Sequence, residues 1–233
     1  MQTSRATLDK VPAEVAGMFD QVANRYDLMN SLLTLRTDEM WRKATLEALE
    51  IEPGMMVLDL AAGTGTSSKP IADAGAKVYP TDLSLGMLTV GKQRHPELDF
   101  LAGDALALPF ADDSFDAATI SFGLRNVENT DAVLQEIARV TRPGGRLVIT
   151  EFSTPTQKAI RLAYQQGVLR RVMPVAARLS SNPPAYTYLG ESIMAWPNQK
   201  ELADLMAKAG WVNIQWRNLT GGIVAIHRGW IPW

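Results

Sequence analysis

MMVLDLAAGTGT, residues 55–66, is the stretch whose reading decides the fold. Met56-Val57-Leu58 is apolar and β-prone. Asp59 follows, and Gly63-Thr64-Gly65 makes a turn that opens a helix over Thr66–Ala74. Small residues flank the turn on both sides. Backbone this bare can come within van der Waals reach of a ligand, because no side chain stands in the way. The stretch therefore predicts a buried first strand, a glycine turn and a nucleotide-like ligand above it.

Downstream, apolar strands alternate with helical segments. Residues 76–79 read as strand 2, ending at Asp82, and Ser84 caps a helix over 85–94. Residues 98–101 read as strand 3, ending at Gly103-Asp104. Residues 115–120 read as strand 4, ending at Ser121, and 131–140 as an amphipathic helix. After a tight turn at Pro143-Gly144-Gly145, residues 145–152 form a nearly all-apolar, central strand 5. This alternation marks a parallel α/β sheet, whose ligands bind beyond the carboxyl ends of the strands. Asp59, Asp82, Asp104 and Ser121 all fall at those ends.

Helices are expected over 185–194 and 198–209, then strands at 211–216 and 222–227. The short link between those two strands requires an antiparallel pair. Upstream, residues 1–10 are polar and expected to be mobile. Residues 11–50 carry helical periodicity, with Ser31 and Thr37 as helix starts. Residues 1–50 then form either a helical pair packed on the sheet or a lid over the site. Residues 51–233 form the main domain, with a helical insertion at about 153–209.

The chain has 233 residues, no cysteine, two histidines and a net charge of −2. Disulfides, thiolate zinc sites and a cysteine nucleophile are excluded, a histidine metal site is disfavoured, and no metal is expected. The charge argues against nucleic acid as a partner. No apolar run approaches the ~20 residues of a membrane span, and no signal peptide is visible, so a cytoplasmic location is expected. Residues 153–190 contain no acid but hold Lys158, Arg161, Arg170, Arg171 and Arg178 among apolar residues. They read as a solvated basic helix face, or as a surface for peripheral contact with an anionic membrane.

The glycine turn serves several cofactors. A dinucleotide turn reads G-x-G-x-x-G, but the third glycine position here is Ser68. Asp59 would repel a pyrophosphate and suits a cationic ligand such as S-adenosylmethionine, which carries an ammonium, a sulfonium and no phosphate. Asp82 can take two ribose hydroxyls, and Asp104 can accept from the adenine amine. The late antiparallel hairpin completes the expected class: a class I methyltransferase fold, Rossmann-like, with a mostly parallel seven-stranded sheet and helices on both faces.

FDQVANRYDLMN (19–30), LDLAAGTGT (58–66), GDALALPFADDSFD (103–116), ISFGLRNV (120–127), YLGESIMAWPNQ (188–199) and NLTGGIVAIHRGW (218–230) resemble the ubiquinone/menaquinone biosynthesis C-methyltransferases. The resemblance covers nearly the whole chain. It implies methyl transfer from S-adenosylmethionine to a ring carbon of a prenylated quinol, with Gly63, Thr64, Asp82, Asp104, Ala105 and Ser121 at the cofactor. The absence of an N-terminal extension favours demethylmenaquinol over a polyprenyl-methoxybenzoquinol. Another class I methyltransferase, a nucleotide-binding oxidoreductase and a non-catalytic binding protein are the competing readings. Two departures stand out. Thr66 replaces the family's usual Asp in the turn and is expected to cap the helix instead. Asp38-Glu39-Met40 precedes Trp41-Arg42, where the family often has His-Arg, which puts substrate contacts there in doubt.

A quinol hydroxyl ionises near pH ~10, as a phenol does, so the protein must favour the quinolate. Arg125 and Asn126, just beyond strand 4, are the catalytic candidates: a fixed cation and an orienting amide. The alternative for Arg125 is pairing with an acid such as Glu128. Tyr26 is the substrate-binding candidate, with Asp27 beside it. His227 is a candidate base but reads better as structural. A homodimer is left open.

Overall fold

The computed structural model describes residues 6–23, 34, 37–172 and 183–233. The chain runs α1 (Pro12–Val22), α2 (Thr37–Leu49), β1 (Met56–Leu60), α3 (Ser68–Asp73), β2 (Lys77–Asp82), α4 (Leu85–Arg94), β3 (Leu101–Ala102) and β4 (Phe115–Ser121). It continues through α5 (Thr130–Val140), β5 (Thr141–Phe152), α6 (Lys158–Leu162), a π-helical segment (Ala163–Val172), α7 (Pro183–Ala195), α8 (Gln199–Lys208), β6 (Val212–Leu219) and β7 (Val224–Trp230). The seven strands form one sheet in the order β3-β2-β1-β4-β5-β7-β6. β1 to β5 pair in parallel, while β7 is antiparallel to both β5 and β6. The expected fold, with its terminal antiparallel pair, is the fold observed.

Strand alternation explains the layers. Leu58, Leu60, Ala118, Ile120, Leu147 and Ile149 point to one face, where α5 and α8 cover them with Val133, Leu134, Ile137, Leu202 and Met206. Their neighbours Val57, Ala117 and Val148 point to the other, against Trp41, Ala44 and Leu49 of α2 and Ile71 of α3. Both faces of the central strands are buried, which is why they read as continuous apolar runs. Three caps fix helix starts: Ser84 accepts from the Met87 amide, Asn129 from that of Ala132, and Asn198 forms a capping box with Glu201.

Local expectations fail where tertiary contacts decide. Strand 3 was expected over 98–101, but β3 spans only two residues. It is an edge strand, and a short edge presents little unpaired backbone. The expected turn at Pro143-Gly144-Gly145 lies inside β5, which begins at Thr141. The ladder absorbs it by a register shift opposite Phe115 and Ala117, with Gly144 at φ +75. Residues 7–9 are exposed, but Ala6 is fully buried and Lys10 half-buried. α2 packs on the sheet, with the Thr45 and Thr150 hydroxyls 2.6 Å apart. α1 instead packs beside α4 and α7, as Val15 and Met18 meet Tyr188, and Phe19 meets Met87.

Candidate active site

The sheet changes direction of winding between β1 and β4, so a crevice opens above their carboxyl ends. A cavity of about 1060 Å³ lies there. Asp59, Gly63, Thr64, Asp82, Asp104, Ala105 and Ser121 all line it, as do Arg125 and Asn126. The strand-end residues expected to converge do converge.

The two glycines of the turn do different work. Gly63 has φ +57, and a Cβ there would meet nothing within 4 Å, so it bares its backbone to open space. Gly65, at φ +79, would drive a Cβ to 2.6 Å from Phe100 and is a packing glycine. The helix begins later than expected. Its N-cap is Ser67, without a side-chain bond. The Thr66 hydroxyl lies 3.1 Å from that of Thr64, so Thr66 does not cap.

Ser68, the residue in place of a third glycine, is fully buried and donates to Asp59 Oδ2 at 2.6 Å. The loss of the dinucleotide pattern and the anchoring of the acid are thus one feature. Burial pushes the Asp59 carboxyl up to about 7; the Ser68 bond opposes this and the nearby Asp82 adds to it. Asp82 accepts from the Gly63 amide through Oδ2 and from the Ser84 amide through Oδ1, each at 2.8 Å. Its carboxyl is also raised, because burial outweighs those backbone bonds. Each Asp82 oxygen keeps a lone pair for a ligand hydroxyl. Asp104 Oδ1 accepts from the Leu106 amide at 2.9 Å. Among the described residues, Lys10, Arg42 and Arg125 are the cations lining the cavity, and none sits on the ends of β1 to β3. An acidic, phosphate-averse rim over bare backbone fits S-adenosylmethionine.

The far side is aromatic. Trp41, Phe122 and Phe152 cluster with centroids 5.2–6.4 Å apart, and Trp41 Nε1 donates to the Thr220 hydroxyl at 2.8 Å. Asp38 pairs with Arg42 at 2.8 Å and accepts from Thr34 at the same distance, so it braces the wall beside Trp41. Arg125 is buried and pairs with an acid, but that acid is Glu151 at the end of β5, 2.8 Å away, rather than Glu128. It also donates to the Phe122 carbonyl. Asn126 is buried, with its Nδ2 3.5 Å from the same carbonyl. Arg125 Nε, Asn126 Oδ1 and the Tyr188 hydroxyl are buried without hydrogen-bond partners among the described residues.

His227 is buried away from the cavity. Its Nε2 lies 2.8 Å from the Gln199 carbonyl, its ring stacks on Trp216, and burial lowers its pKa. It is structural. Tyr26 and Asp27 lie outside the described residues, as does Arg178. Sequence reasoning missed Glu151, the aromatic wall, Lys10 and Tyr188. An acid closing an otherwise apolar strand was a usable signal for Glu151; the polar first ten residues gave none for Lys10.

The model of the ubiE/COQ5 methyltransferase family matches residues 7–231. The chain belongs to that family. It is an S-adenosylmethionine-dependent methyltransferase. A demethylmenaquinone methyltransferase of Streptomyces avermitilis is 60% identical over 226 residues, covering 97% of this chain and 98% of the relative. One from Mycobacterium marinum is 56% identical over 229 residues, covering 98% of each. The fold is shared at low identity. A methyltransferase solved with the Trm112 activator of Haloferax volcanii superposes with TM-score 0.67 at 18% identity, covering 92% of this chain and 98% of that one. Phosphoethanolamine N-methyltransferase 2 of Haemonchus contortus, solved with S-adenosylmethionine, gives 0.62 at 18%, covering 82% and 52%.

Proposed function

We propose that this enzyme methylates a ring carbon of demethylmenaquinol, giving menaquinol. The observation that carries the proposal is one cavity with two chemically opposite ends. An acidic rim over bare glycine backbone lies at one end, and an aromatic wall with the buried Arg125–Glu151 pair at the other. The relatives at 55–60% identity carry the name of that activity.

The cofactor, when bound, supplies an electrophilic methyl group on a sulfonium. Asp82 would take the ribose hydroxyls, with one lone pair left on each oxygen, and the Gly63 turn leaves open space beside it. Asp104, whose Oδ1 takes the Leu106 amide, would accept from the adenine amine, and Ala105 would border the same space. Asp59 faces the ammonium, and Thr64 and Ser121 border the same space. On the other side Trp41, Phe122 and Phe152 exclude water from the quinol ring. Arg125 and Asn126 meet its hydroxyl end: the unpartnered Arg125 Nε donates to the hydroxyl oxygen, and the unpartnered Asn126 Oδ1 orients the remaining O–H. Loss of the first hydroxyl's proton makes the adjacent ring carbon nucleophilic. The net reaction transfers one methyl to carbon and releases one proton and S-adenosylhomocysteine. Alignment of the two reactants in one cavity supplies much of the rate.

Tyr26 and Asp27 complete the substrate side in this reading. α1 acts as the lid. The polyprenyl tail leaves past Leu169 and Val168, which line the cavity where the π-helical segment begins to face solvent. That segment and α6 expose Leu162 and Val168 beside Lys158, Arg170 and Arg171. They meet an anionic membrane surface from which the tail is drawn. Turnover with S-adenosylmethionine and either a short-chain demethylmenaquinol or a demethylated methoxybenzoquinol, read by mass spectrometry, tests the assignment. A gain of one methyl on the naphthoquinol with slower reaction of the benzoquinol is expected; the reverse preference would overturn it.

A further inference from the structure

The Arg125 guanidinium is not a free charge. Glu151 Oε1 lies 2.8 Å from its Nη1, and Glu151 Oε2 takes the Arg125 backbone amide at 3.3 Å. Both side chains are buried, so the pair presents a dipole to the cavity rather than a net positive charge. A quinolate needs more than that.

Lys10 supplies the missing unit. It lines the same cavity from the segment preceding α1. Its Nζ lies 5.9 Å from the centroid of the Trp196 ring, and no carboxylate pairs with it among the described residues. Its ammonium is half-buried. Burial is the main cause holding its pKa below the ordinary lysine value; Glu151 opposes this and Arg125 adds to it. The groups in electrostatic reach are therefore Glu151 at the end of β5 and Arg125 after β4. Tyr164 of the π-helical segment and Tyr188 of α7 share those two neighbours. Among the described residues in that reach, two cations face one anion; Glu151 is bonded to Arg125, so Lys10 is the cation without a bonded carboxylate.

We infer that the Lys10 ammonium is a catalytic residue of the methyl transfer, contacting the ionised quinol oxygen and holding it as the quinolate while the ring carbon is alkylated. This rests on the quinol reading of the cavity. The quinol O–H proton leaves to solvent, and Lys10 remains protonated throughout. The charge that favours reaction arrives with the segment that leads into the lid helix.

The test uses the full-length enzyme and its Lys10→Met and Lys10→Arg variants. S-adenosylmethionine affinity comes from calorimetry, and kcat with short-chain demethylmenaquinol is followed across pH. Cofactor Kd should stay within about twofold in both variants. Lys10→Met should lose about 10- to 100-fold in kcat at neutral pH, and the acidic limb of its profile should move up by about one to two pH units, the shift a lost opposite charge produces. Lys10→Arg should recover most of the rate. It should also lose the alkaline limb that titration of Lys10 gives the unaltered enzyme, because a guanidinium stays charged. A Lys10→Met profile with unmoved midpoints overturns the inference whatever its rate. An unaltered enzyme that binds cofactor but methylates no quinol overturns the functional reading, and this inference with it.

Discussion

Asp59 is buried, anchored by Ser68 and protonated over much of the acidic range, with its carboxyl near 7. Its unfolded value is about 3.9. A carboxyl raised on folding stabilises the protonated native state, so this contribution is full below about pH 4 and is lost as pH rises through about 7. A cationic ligand reverses the preference, because it binds the ionised form and expels the proton. Cofactor affinity should therefore rise up to about tenfold per pH unit below 7 and level above it. Calorimetry on Asp59→Asn should find weaker binding with a clearly flatter pH dependence, and a thermal midpoint that declines less between pH 5 and 8. An undiminished slope in the variant would remove Asp59 from the cofactor's charge balance. The sequence showed this residue because an acid in a buried strand end is conspicuous. It did not show the raised pKa, which depends on how deeply Ser68 and Asp82 enclose the carboxyl. Nor did it show that Arg125 is neutralised, since Glu151 lies 26 residues away and meets it only through the β4–β5 pairing.

Elements were legible where periodicity and caps agree. The helix over 85–94 matches α4 residue for residue because Ser84 caps it and residue 95 breaks it. β4 and α5 match within a residue for the same kind of reason. β3 and the start of β5 did not, because an edge and a bulge are set by neighbouring strands. Both N-terminal helices reach the site: α2 packs on the sheet and lends Asp38, Trp41 and Arg42 to the cavity wall, while α1 borders the cavity beside α4 and α7. What ties α1 down is Asp20, which accepts from the Ser84 hydroxyl at 2.6 Å and the Gly86 amide at 2.8 Å, at the start of α4. Ser84 in turn donates its amide to Asp82. The docking of α1 and the position of Asp82 are thus linked through one turn. Asp20→Ala should cost about 1–3 kcal/mol of local stability. Hydrogen exchange in α1 should quicken and cofactor Kd should rise several-fold, while the core strands keep their protection. Unchanged protection of α1 would show that its apolar contacts alone hold it.

Across the described residues, the cofactor end of the cavity holds Asp59, Asp82 and Asp104 without a cation on those strand ends, whereas at the aromatic end Arg42 and Arg125 are each paired with an acid, and the basic segment lies beside that end. No helix among the described residues is long and apolar enough to cross a membrane. Contact with the bilayer would then be peripheral and electrostatic, worth about 1 kcal/mol per surface Lys or Arg and weakened by salt. Co-sedimentation with vesicles containing anionic phosphatidylglycerol should be salt-sensitive. It should fall at least about 30-fold in affinity in Arg170→Glu/Arg171→Glu, with turnover of tail-free quinol unchanged. Equal binding to neutral and anionic vesicles would contradict this. The central claim, that one cavity joins S-adenosylmethionine to a quinol ring carbon, is tested most directly with a cofactor carrying a 13C-labelled methyl group. After reaction with demethylmenaquinol, the 13C spectrum of the product should show the label as a methyl on an aromatic ring carbon. Label found as an O-methyl ether, or absent from the quinol, would contradict the account.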